Sequence, residues 1–419
     1  MLRRHGPASA AHAGAAATVC GPNTNSMAAH PSFSNSHLVV LTAGNFFVAT
    51  SFLSVGGLLN EISSSLQIPI AKAGLLIAAF GISAAICAPV LATVGSKIDR
   101  RKLLTWSMGV CGIANVFAAV SQNYDQLMIA RVLAAVTSAV YTPQVAATVS
   151  MLVAEEERAP TLGKLMMGWA IGSVAGNPLS VLVGSHFGWR VSFAALGVAS
   201  FIVAIFVWRA IPIGVHVPPL SLERWYRVFK APALRWLTAA TALTNIGSMV
   251  MLSFIAPIVA AVQGIEGTAL AVLFFVAGIG GLIGNMMSVR MVRKLGATAV
   301  AYKCNIVAGV MLLIWPVFAQ WFIFIYIMQF LWSLGSAGFP AVQQARLIAI
   351  APGLAAATIA LNSSVTYLGG SIGASIGSTA WTLMPPRFLP WVGFIFILAA
   401  LGCSYRGEAA ANASHAPKV

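Results

Sequence analysis

The feature of this sequence that most constrains its fold is a series of twelve apolar stretches, each long enough to cross a lipid bilayer. A helix needs about 20 apolar residues to span the ~30 Å hydrocarbon core of a bilayer. The series therefore predicts an all-α integral membrane protein with twelve transmembrane helices. The stretches cover residues 38–60, 73–95, 103–121, 126–149, 165–186, 191–211, 236–262, 268–289, 299–319, 321–345, 355–381 and 388–405.

Composition agrees with a lipid environment. Hydrophobic residues make up 59% of the 419 residues and charged residues 8%, whereas a soluble domain has about 25% charged residues. The net charge of +15 does not indicate nucleic-acid binding, because the Lys and Arg residues lie in short gaps between apolar stretches. The five cysteines have no paired or metal-like spacing, so we expect no disulfide, metal or other cofactor.

The basic residues are concentrated on one side of the predicted topology. With the N-terminus inside, only Lys72, Arg190 and Arg387 of the 24 Lys and Arg residues fall in outer gaps, and Arg131 falls within an apolar stretch. Lys and Arg are enriched in the cytoplasmic loops of membrane proteins. We therefore predict a multi-pass protein of the inner (plasma) membrane with both termini in the cytoplasm.

The longest gap divides the twelve stretches into six plus six. Within it, Leu222, Trp225, Tyr226 and Phe229 recur at helical spacing among charged residues. This pattern predicts a short amphipathic helix at the cytoplasmic interface, with a solvated linker as the alternative. The N-terminal tail, residues 1–37, is predicted to be disordered. Whether translation starts at Met1 or at Met27 stays open. The predicted parts are a cytoplasmic tail (1–37), a six-helix bundle (38–211), a cytoplasmic linker (212–235), a second six-helix bundle (236–406) and a second cytoplasmic tail (407–419).

One short gap, between the second and third stretches, combines an acid with several bases. We call it the inner-loop motif. Opposite charges at converging helix ends can hold two bundles in one conformation through charge-assisted hydrogen bonds and helix dipoles. A role in gating is predicted, with a plain topological anchor as the alternative. The residues are Gly95, Asp99, Arg100, Arg101 and Lys102.

Two further features lie inside apolar stretches. A buried Arg in a membrane span is costly unless it is paired, faces water or snorkels, so Arg131 is predicted to have a function, with snorkelling as the alternative. The fifth stretch contains what we call the helix-five motif. Its glycines give a flat packing ridge, and its proline allows a kink. The motif residues are Gly172, Gly176, Asn177 and Pro178.

Uncharged polar residues recur in several stretches and predict a central cavity. Because polar groups are costly in lipid, these residues should face the interior of the bundle. The predicted substrate-cavity residues are Asn45, Tyr141, Gln144, Thr244, Asn245, Gln329, Trp332, Asn362 and Thr366.

None of the nine acidic residues lies in the middle of a stretch, which bears on proton coupling. Coupling normally needs a titratable group in the pathway. Glu61, near the end of the first stretch, is the closest candidate, but a carboxyl in contact with water usually keeps a low pKa. We therefore expect either weak coupling to protons or coupling without a carboxylate in mid-membrane, with Glu61 as the residue to test.

Taken in order, these segments resemble the motifs of one transporter family. The resemblance covers residues 38–406 and rests on Gly57–Ile62 (GLLNEI), the two motifs named above, and Arg131 with the later Tyr-Thr-Pro run that starts at Tyr141. The sequence is similar to the major facilitator superfamily, in particular its drug-and-proton antiporter clade with bacterial sugar-efflux and purine-nucleoside-efflux members. One departure is Phe52, at a position where many related exporters have a carboxylate.

The resemblance implies the major facilitator fold, with two six-helix halves, and a function in transport. The expected activity is export of a small neutral or amphiphilic solute, such as a sugar, a nucleoside or a drug-like molecule, by alternating access. The alternatives are an uptake facilitator or uniporter and a transport-inactive membrane sensor with the same fold. No clusters of acidic or histidine residues at membrane depth suggest an enzyme. The expected partners are the small-molecule substrate and the lipid bilayer, with protons left open, and the expected state is a monomer.

Overall fold

The computed structural model describes residues 34–95, 98–214, 228 and 230–415. In this part of the chain the regular elements are helices, and no strand occurs. We number the α-helices in chain order. They are α1 (Asn35–Gly57), α2 (Leu59–Ser65), α3 (Ile70–Gly95), α4 (Arg100–Val120), α5 (Tyr124–Leu152), α6 (Glu155–Ile171), α7 (Asn177–Phe187), α8 (Trp189–Ala210), α9 (Pro232–Gln263), α10 (Gly267–Leu295), α11 (Ala297–Phe318), α12 (Phe322–Ser336), α13 (Phe339–Ile350), α14 (Ala355–Leu383) and α15 (Leu389–His415).

The helices confirm the predicted fold of twelve membrane spans. Eleven spans in the described residues are long and apolar enough to cross a membrane, with α6 and α7 forming one span and α12 and α13 another. The twelfth is α14, which has 29 residues but contains Ser, Thr, Gly and Asn along its length. Each span overlaps one predicted apolar stretch, because about 20 apolar residues are the least that a bilayer crossing requires.

Several helix ends differ from the predicted boundaries. Helix α15 continues to His415, so the predicted tail from residue 407 begins inside a helix, and α1 begins at Asn35 inside the predicted N-terminal tail. Helix α6 begins at Glu155, well before residue 165. Hydropathy marks where a helix leaves the hydrocarbon, whereas backbone hydrogen bonding continues the helix into polar sequence. The predicted amphipathic helix falls mostly on residues 215–227 and 229, outside the described residues.

The fifth span changes its helical geometry at the helix-five motif. A π-helical turn, Gly172–Gly176, joins α6 to α7, and Pro178 follows in the first turn of α7. Proline has no amide hydrogen to donate to the preceding turn, so the chain rearranges locally there. The amide of Asn177 donates across this turn to the carbonyl of Gly172.

Helix α3 packs against α14 and links the first six spans to the last six. Ser371 Oγ donates to the carbonyl of Ala78 at 2.6 Å, and Ser378 Oγ donates to the carbonyl of Ala71 at 2.7 Å. Because α3 begins and α14 ends near these residues, the bonds lie toward the end of the bundle that contains Glu61. We call this the Glu61 end, and the opposite end the Asp99 end.

The ring of Phe254 on α9 adds to the packing at the Glu61 end. It lies between Gly74 of α3 and Gly377 of α14 and stacks on Trp381, with the ring centroids 5.9 Å apart. A Cβ atom at position 74 would lie 2.3 Å from the tip of this ring, so only glycine leaves room for it. The side chain therefore fills the space between spans from both sets.

Candidate functional site

A cavity of about 360 Å³ lies in the middle of the bundle, between the first six spans and the last six. Its walls come from α1, α3, the fifth span, α9, α10, α12, α13 and α14. Among the described residues, none that lines this cavity is charged. The aromatic lining residues are Phe52, Trp169, Phe274, Trp332, Phe339 and Tyr367.

Four of the predicted substrate-cavity residues line this cavity: Thr244, Asn245, Trp332 and Thr366. Two of them, Thr244 and Asn245, form hydrogen bonds with a neighbouring helix or with the preceding turn of α9. Thr244 Oγ1 donates to Asn305 Oδ1 at 3.2 Å, and Asn245 Nδ2 donates to the carbonyl of Thr241 at 2.9 Å. The indole Nε1 of Trp332 is buried without a hydrogen-bond partner.

Two other predicted cavity residues, Asn45 and Tyr141, lie outside the cavity wall. Asn45 Nδ2 donates to the carbonyl of Leu165 at 3.2 Å, and its Oδ1 accepts from Thr142 Oγ1 at 2.9 Å. Tyr141 is buried and its hydroxyl donates to the carbonyl of Leu41 at 3.4 Å. Both side chains join α5 or α6 to α1, so their polarity serves contacts between helices.

Gln144, Gln329 and Asn362 also lie outside the cavity wall. Gln144 Oε1 accepts from the Arg100 guanidinium. Asn362 Oδ1 accepts from Thr241 Oγ1 at 2.9 Å. Gln329 is buried one turn from Trp332, and neither its amide oxygen nor its amide nitrogen has a partner. Sequence alone indicates that such groups avoid lipid. It does not tell whether they form hydrogen bonds with a neighbouring helix or line a cavity.

The sequence analysis missed most of the aromatic wall. Phe52 and Trp169 lie on one side of the cavity, with their ring centroids 6.2 Å apart. Phe339 of α13 and Phe274 of α10 also lie in its wall. The cavity was predicted from polar residues. In a sequence, an aromatic residue that lines a cavity cannot be distinguished from one that faces lipid. The one useful signal was Phe52, which stands out only through the family resemblance.

Arg131 lies behind the aromatic wall and is 1% exposed. Its Nη1 donates to the carbonyl of Ser51 at 3.1 Å, and its Cζ lies 4.8 Å from the centroid of the Phe80 ring. The Phe80 ring in turn lies 5.0 Å from that of Phe52, centroid to centroid. The side chain therefore does not snorkel to the interface. In the described part of the chain, no carboxylate pairs with it.

The helix-five motif packs tightly against α1 and borders the cavity through Asn177. A Cβ atom at Gly176 would lie 2.0 Å from Thr50 Oγ1, and one at Gly172 would lie 2.9 Å from the Cβ of Ala49. Pro178 is buried beside them. The small residues allow the fifth span to approach the first, which brings Trp169 and Asn177 to the cavity.

The inner-loop motif lies at the Asp99 end, where Asp99 caps α4. Its Oδ1 accepts from the backbone amide of Arg101 at 3.0 Å and from that of Lys102 at 3.4 Å. Its Oδ2 accepts from the amide of Gly214, in the chain after α8. Gly95 ends α3 against Leu103 of α4. These contacts join α3, α4 and the chain that follows α8.

The basic residues of the motif make different contacts. Arg100 is buried and donates to Gln144. The Cζ of Arg101 lies 4.3 Å from the centroid of the Trp208 ring. Lys102 is exposed. The motif therefore ties α4 to α5 and α8 and leaves a positive charge at the surface.

Glu61 lies at the opposite end of the bundle and is half-buried. It shares a second cavity, of about 590 Å³, with Glu266, which precedes α10. Its Oε2 atom has no hydrogen-bond partner. Burial raises the pKa of the Glu61 carboxyl; a backbone hydrogen bond opposes this shift, and the nearby Glu266 charge adds to it. The carboxyl is thus less hydrated than its place at the end of an apolar stretch suggests.

The twelve-span fold and its central cavity define a polytopic membrane transporter of small molecules. The sequence pattern of the Major Facilitator Superfamily matches residues 41–374, and the chain belongs to this superfamily. It is a secondary transporter, as the resemblance of its motifs implies.

Curated relatives agree with this assignment. An uncharacterised transporter of the superfamily from Bacillus subtilis (strain 168) is 24% identical over 87% of this chain and 93% of its own length. A probable sugar efflux transporter from Helicobacter pylori (strain HPAG1) is 25% identical over 85% of this chain and 90% of its own length.

Solved structures show the same fold. The bacterial homologue of the human lysosomal transporter Spinster, in an inward-facing and unoccupied conformation, matches with a TM-score of 0.70 and 17% identity over 91% of this chain and 98% of its own. A point mutant of the nucleoside transporter NupG matches with a TM-score of 0.72 and 11% identity over 89% of this chain and 98% of its own.

Proposed function

We propose that this protein exports a small neutral or amphiphilic solute by alternating access and that the central cavity binds the solute. The observation on which this rests is the uncharged cavity between the two sets of six spans, with packed contacts on its Glu61 side. Two six-helix bundles, residues 38–211 and 236–406, would move relative to each other around it. Export is supported by the efflux function in the name of the Helicobacter pylori relative.

The orientation follows from the distribution of basic residues. We place the protein in the bacterial inner membrane with both termini and the Asp99 end in the cytoplasm. In this orientation the packed Glu61 end faces outward, and the described conformation is closed to the outside. Reporter fusions at Arg4 and Arg346 should both give a cytoplasmic signal, and an external signal at either position would contradict the orientation.

The protein acts, in this proposal, as a monomer that leaves its solute chemically unchanged. Passive uniport is the second candidate, because no Asp, Glu, Lys, Arg or His among the described residues lines the cavity. Without such a group in the binding site, a proton gradient has no direct route to the bound solute. Coupling to protons is therefore proposed to be weak.

A cavity-filling substitution tests the proposed site. Thr366→Trp places a large side chain into the cavity wall of α14, whereas Leu368→Trp changes a residue on the same helix that is 44% exposed and is not among the residues that line the cavity. Flux of sugars, nucleosides and aryl glycosides is measured in proteoliposomes that contain equal amounts of each variant. Thr366→Trp should reduce flux at least tenfold, roughly 1.4 kcal/mol in the transport barrier, and Leu368→Trp should retain it. Equal flux through both variants would place the solute elsewhere.

A further inference from the structure

We infer that Asn177 and Trp332 bind a hydroxylated solute through hydrogen bonds, one from the first six spans and the other from the last six. This inference rests on the proposed function, because it concerns the solute of the same cavity. It is argued from which polar groups of the cavity wall have hydrogen-bond partners in the protein and which have none.

Two tryptophans line the cavity, and their indole N–H groups differ in what they bond to. Trp169 Nε1 donates to Thr142 Oγ1 at 3.1 Å, and Thr142 Oγ1 in turn donates to Asn45 Oδ1. Trp332 is 4% exposed, and its Nε1 has no hydrogen-bond partner in the protein. An indole nitrogen donates one hydrogen bond and accepts none. Trp169 therefore offers a solute only its ring, whereas Trp332 also offers an unused donor.

Asn177, in the first turn of α7, has an unused acceptor. The residue lines the cavity and is 4% exposed, and its Oδ1 has no hydrogen-bond partner in the protein. A Cβ atom at Gly57 of α1 would lie 3.3 Å from this oxygen and 3.4 Å from Cε2 of Phe274. Because Phe274 belongs to α10, the Asn177 amide lies at a junction between the first six spans and the last six.

Burial distinguishes these two groups from other polar groups of the wall. Ser173 and Ser248 also line the cavity, but they are partly exposed and can bond to water. A buried polar atom without a partner destabilises the protein, and native structures contain few of them. Asn177 Oδ1 and Trp332 Nε1 therefore gain most when a solute provides the missing partner.

The two groups define the chemistry of the solute. Trp332 requires an acceptor and Asn177 Oδ1 requires a donor, and a hydroxyl group can serve as either. Since Trp332 belongs to α12 and Asn177 to the fifth span, a solute that bonds to both connects the two sets of six spans. The ring of Trp169 provides a face on which a ring of the solute packs. An aryl glycoside meets all three requirements.

Phenyl β-glucoside and its monodeoxy analogues, each of which lacks one hydroxyl, test the inference. Binding to the full-length protein in lipid nanodiscs is measured by isothermal titration calorimetry. At least two analogues should bind the unaltered protein about tenfold more weakly than the parent glycoside, because each leaves one protein group unpaired. Trp332→Phe and Asn177→Leu should each abolish the discrimination against one of these analogues.

Trp169→Phe is the matched control. It makes the same change in the other tryptophan of the wall, whose N–H already bonds to Thr142. Any weakening of binding in this variant should affect the parent glycoside and its analogues equally, so the discrimination should be retained. A general loss of packing in the wall predicts the same behaviour for Trp332→Phe, and only a lost hydrogen bond predicts a change in discrimination.

A second measurement uses the unaltered protein and does not depend on the stability of a variant. In protein labelled with nitrogen-15 tryptophan, the indole N–H signal of Trp332 is identified by its absence from the NMR spectrum of Trp332→Phe or Trp332→Tyr. This signal should move downfield when phenyl β-glucoside is added, because the N–H gains an acceptor. The Trp169 signal should shift less.

Four results would overturn the inference. They are no binding of phenyl β-glucoside to the unaltered protein, equal binding of the parent and all its analogues, discrimination that persists in both Trp332→Phe and Asn177→Leu, and a Trp332 signal that does not move. Failure here is separable from failure of the proposed function. If Thr366→Trp blocks flux while discrimination persists in both variants, the cavity is the transport site but other groups bind the solute.

Discussion

At the scale of single residues, the sequence predicted that polar side chains face the protein interior, but not where in the interior each one lies. Asn45, Tyr141 and Gln144 are polar and face the protein interior, yet each bonds to a neighbouring helix or to Arg100. Thr244 and Thr366 do line the cavity. Both outcomes satisfy the same requirement for a hydrogen bond, so sequence alone gives no reason to prefer one.

Glu61 gives a prediction at this scale. Because burial raises its pKa in the described conformation, the protonated carboxyl favours the closed Glu61 end. Closure should be strongest at low pH and weaken as pH rises from the ordinary value of 4.5 through the raised pKa. Glu61→Gln resembles the protonated form and should retain most transport while making closure insensitive to pH.

Flux in proteoliposomes at equal internal and external pH, between pH 5 and 8, checks this expectation. An imposed pH difference should change flux little in either protein, since the carboxyl does not line the central cavity. Concentrative transport that is driven by a pH gradient and abolished by Glu61→Gln would show that this residue transfers the proton.

At the scale of helices, apolar length predicted all twelve spans, but not where the helices end. Helices α6 and α15 extend into polar sequence, because backbone bonds continue a helix beyond the hydrocarbon. The Gly-Pro pattern predicted a local irregularity in the fifth span, and the structure has a π-helical turn at Gly172–Gly176. The type of turn depends on tertiary packing against α1, which the sequence does not specify.

Asp99 gives the prediction at this scale. We propose that its charge helps to hold the Asp99 end closed when the Glu61 end opens, although its contacts here serve only to cap α4 and bind Gly214. Asn caps a helix about as well as Asp, so Asp99→Asn should leave membrane abundance unchanged and slow flux several-fold. Asp125→Asn, at an exposed first-turn position of α5, is the control. Unchanged flux in Asp99→Asn would reduce the motif to a topological anchor.

At the scale of the whole molecule, the count of spans and the superfamily followed from the sequence, whereas the closed end did not. Closure depends on contacts between residues far apart in the chain, such as Ser371 with Ala78 and Phe254 between Gly74 and Gly377. Ser and Gly in these spans carry no signal that distinguishes a gate from ordinary helix packing. In the proposed alternating-access cycle, these contacts open when the Asp99 end closes.

A reversible cross-link across the Glu61 end tests that cycle most directly. Ser378 and Ala71 are joined by a hydrogen bond of 2.7 Å between α14 and α3. In a variant without the five native cysteines, Ala71→Cys and Ser378→Cys are joined by a short bifunctional methanethiosulfonate reagent, and flux is measured before and after reduction. Alternating access predicts that cross-linking stops flux, that reduction restores it, and that neither single-cysteine variant responds. Undiminished flux through fully cross-linked protein would contradict the account.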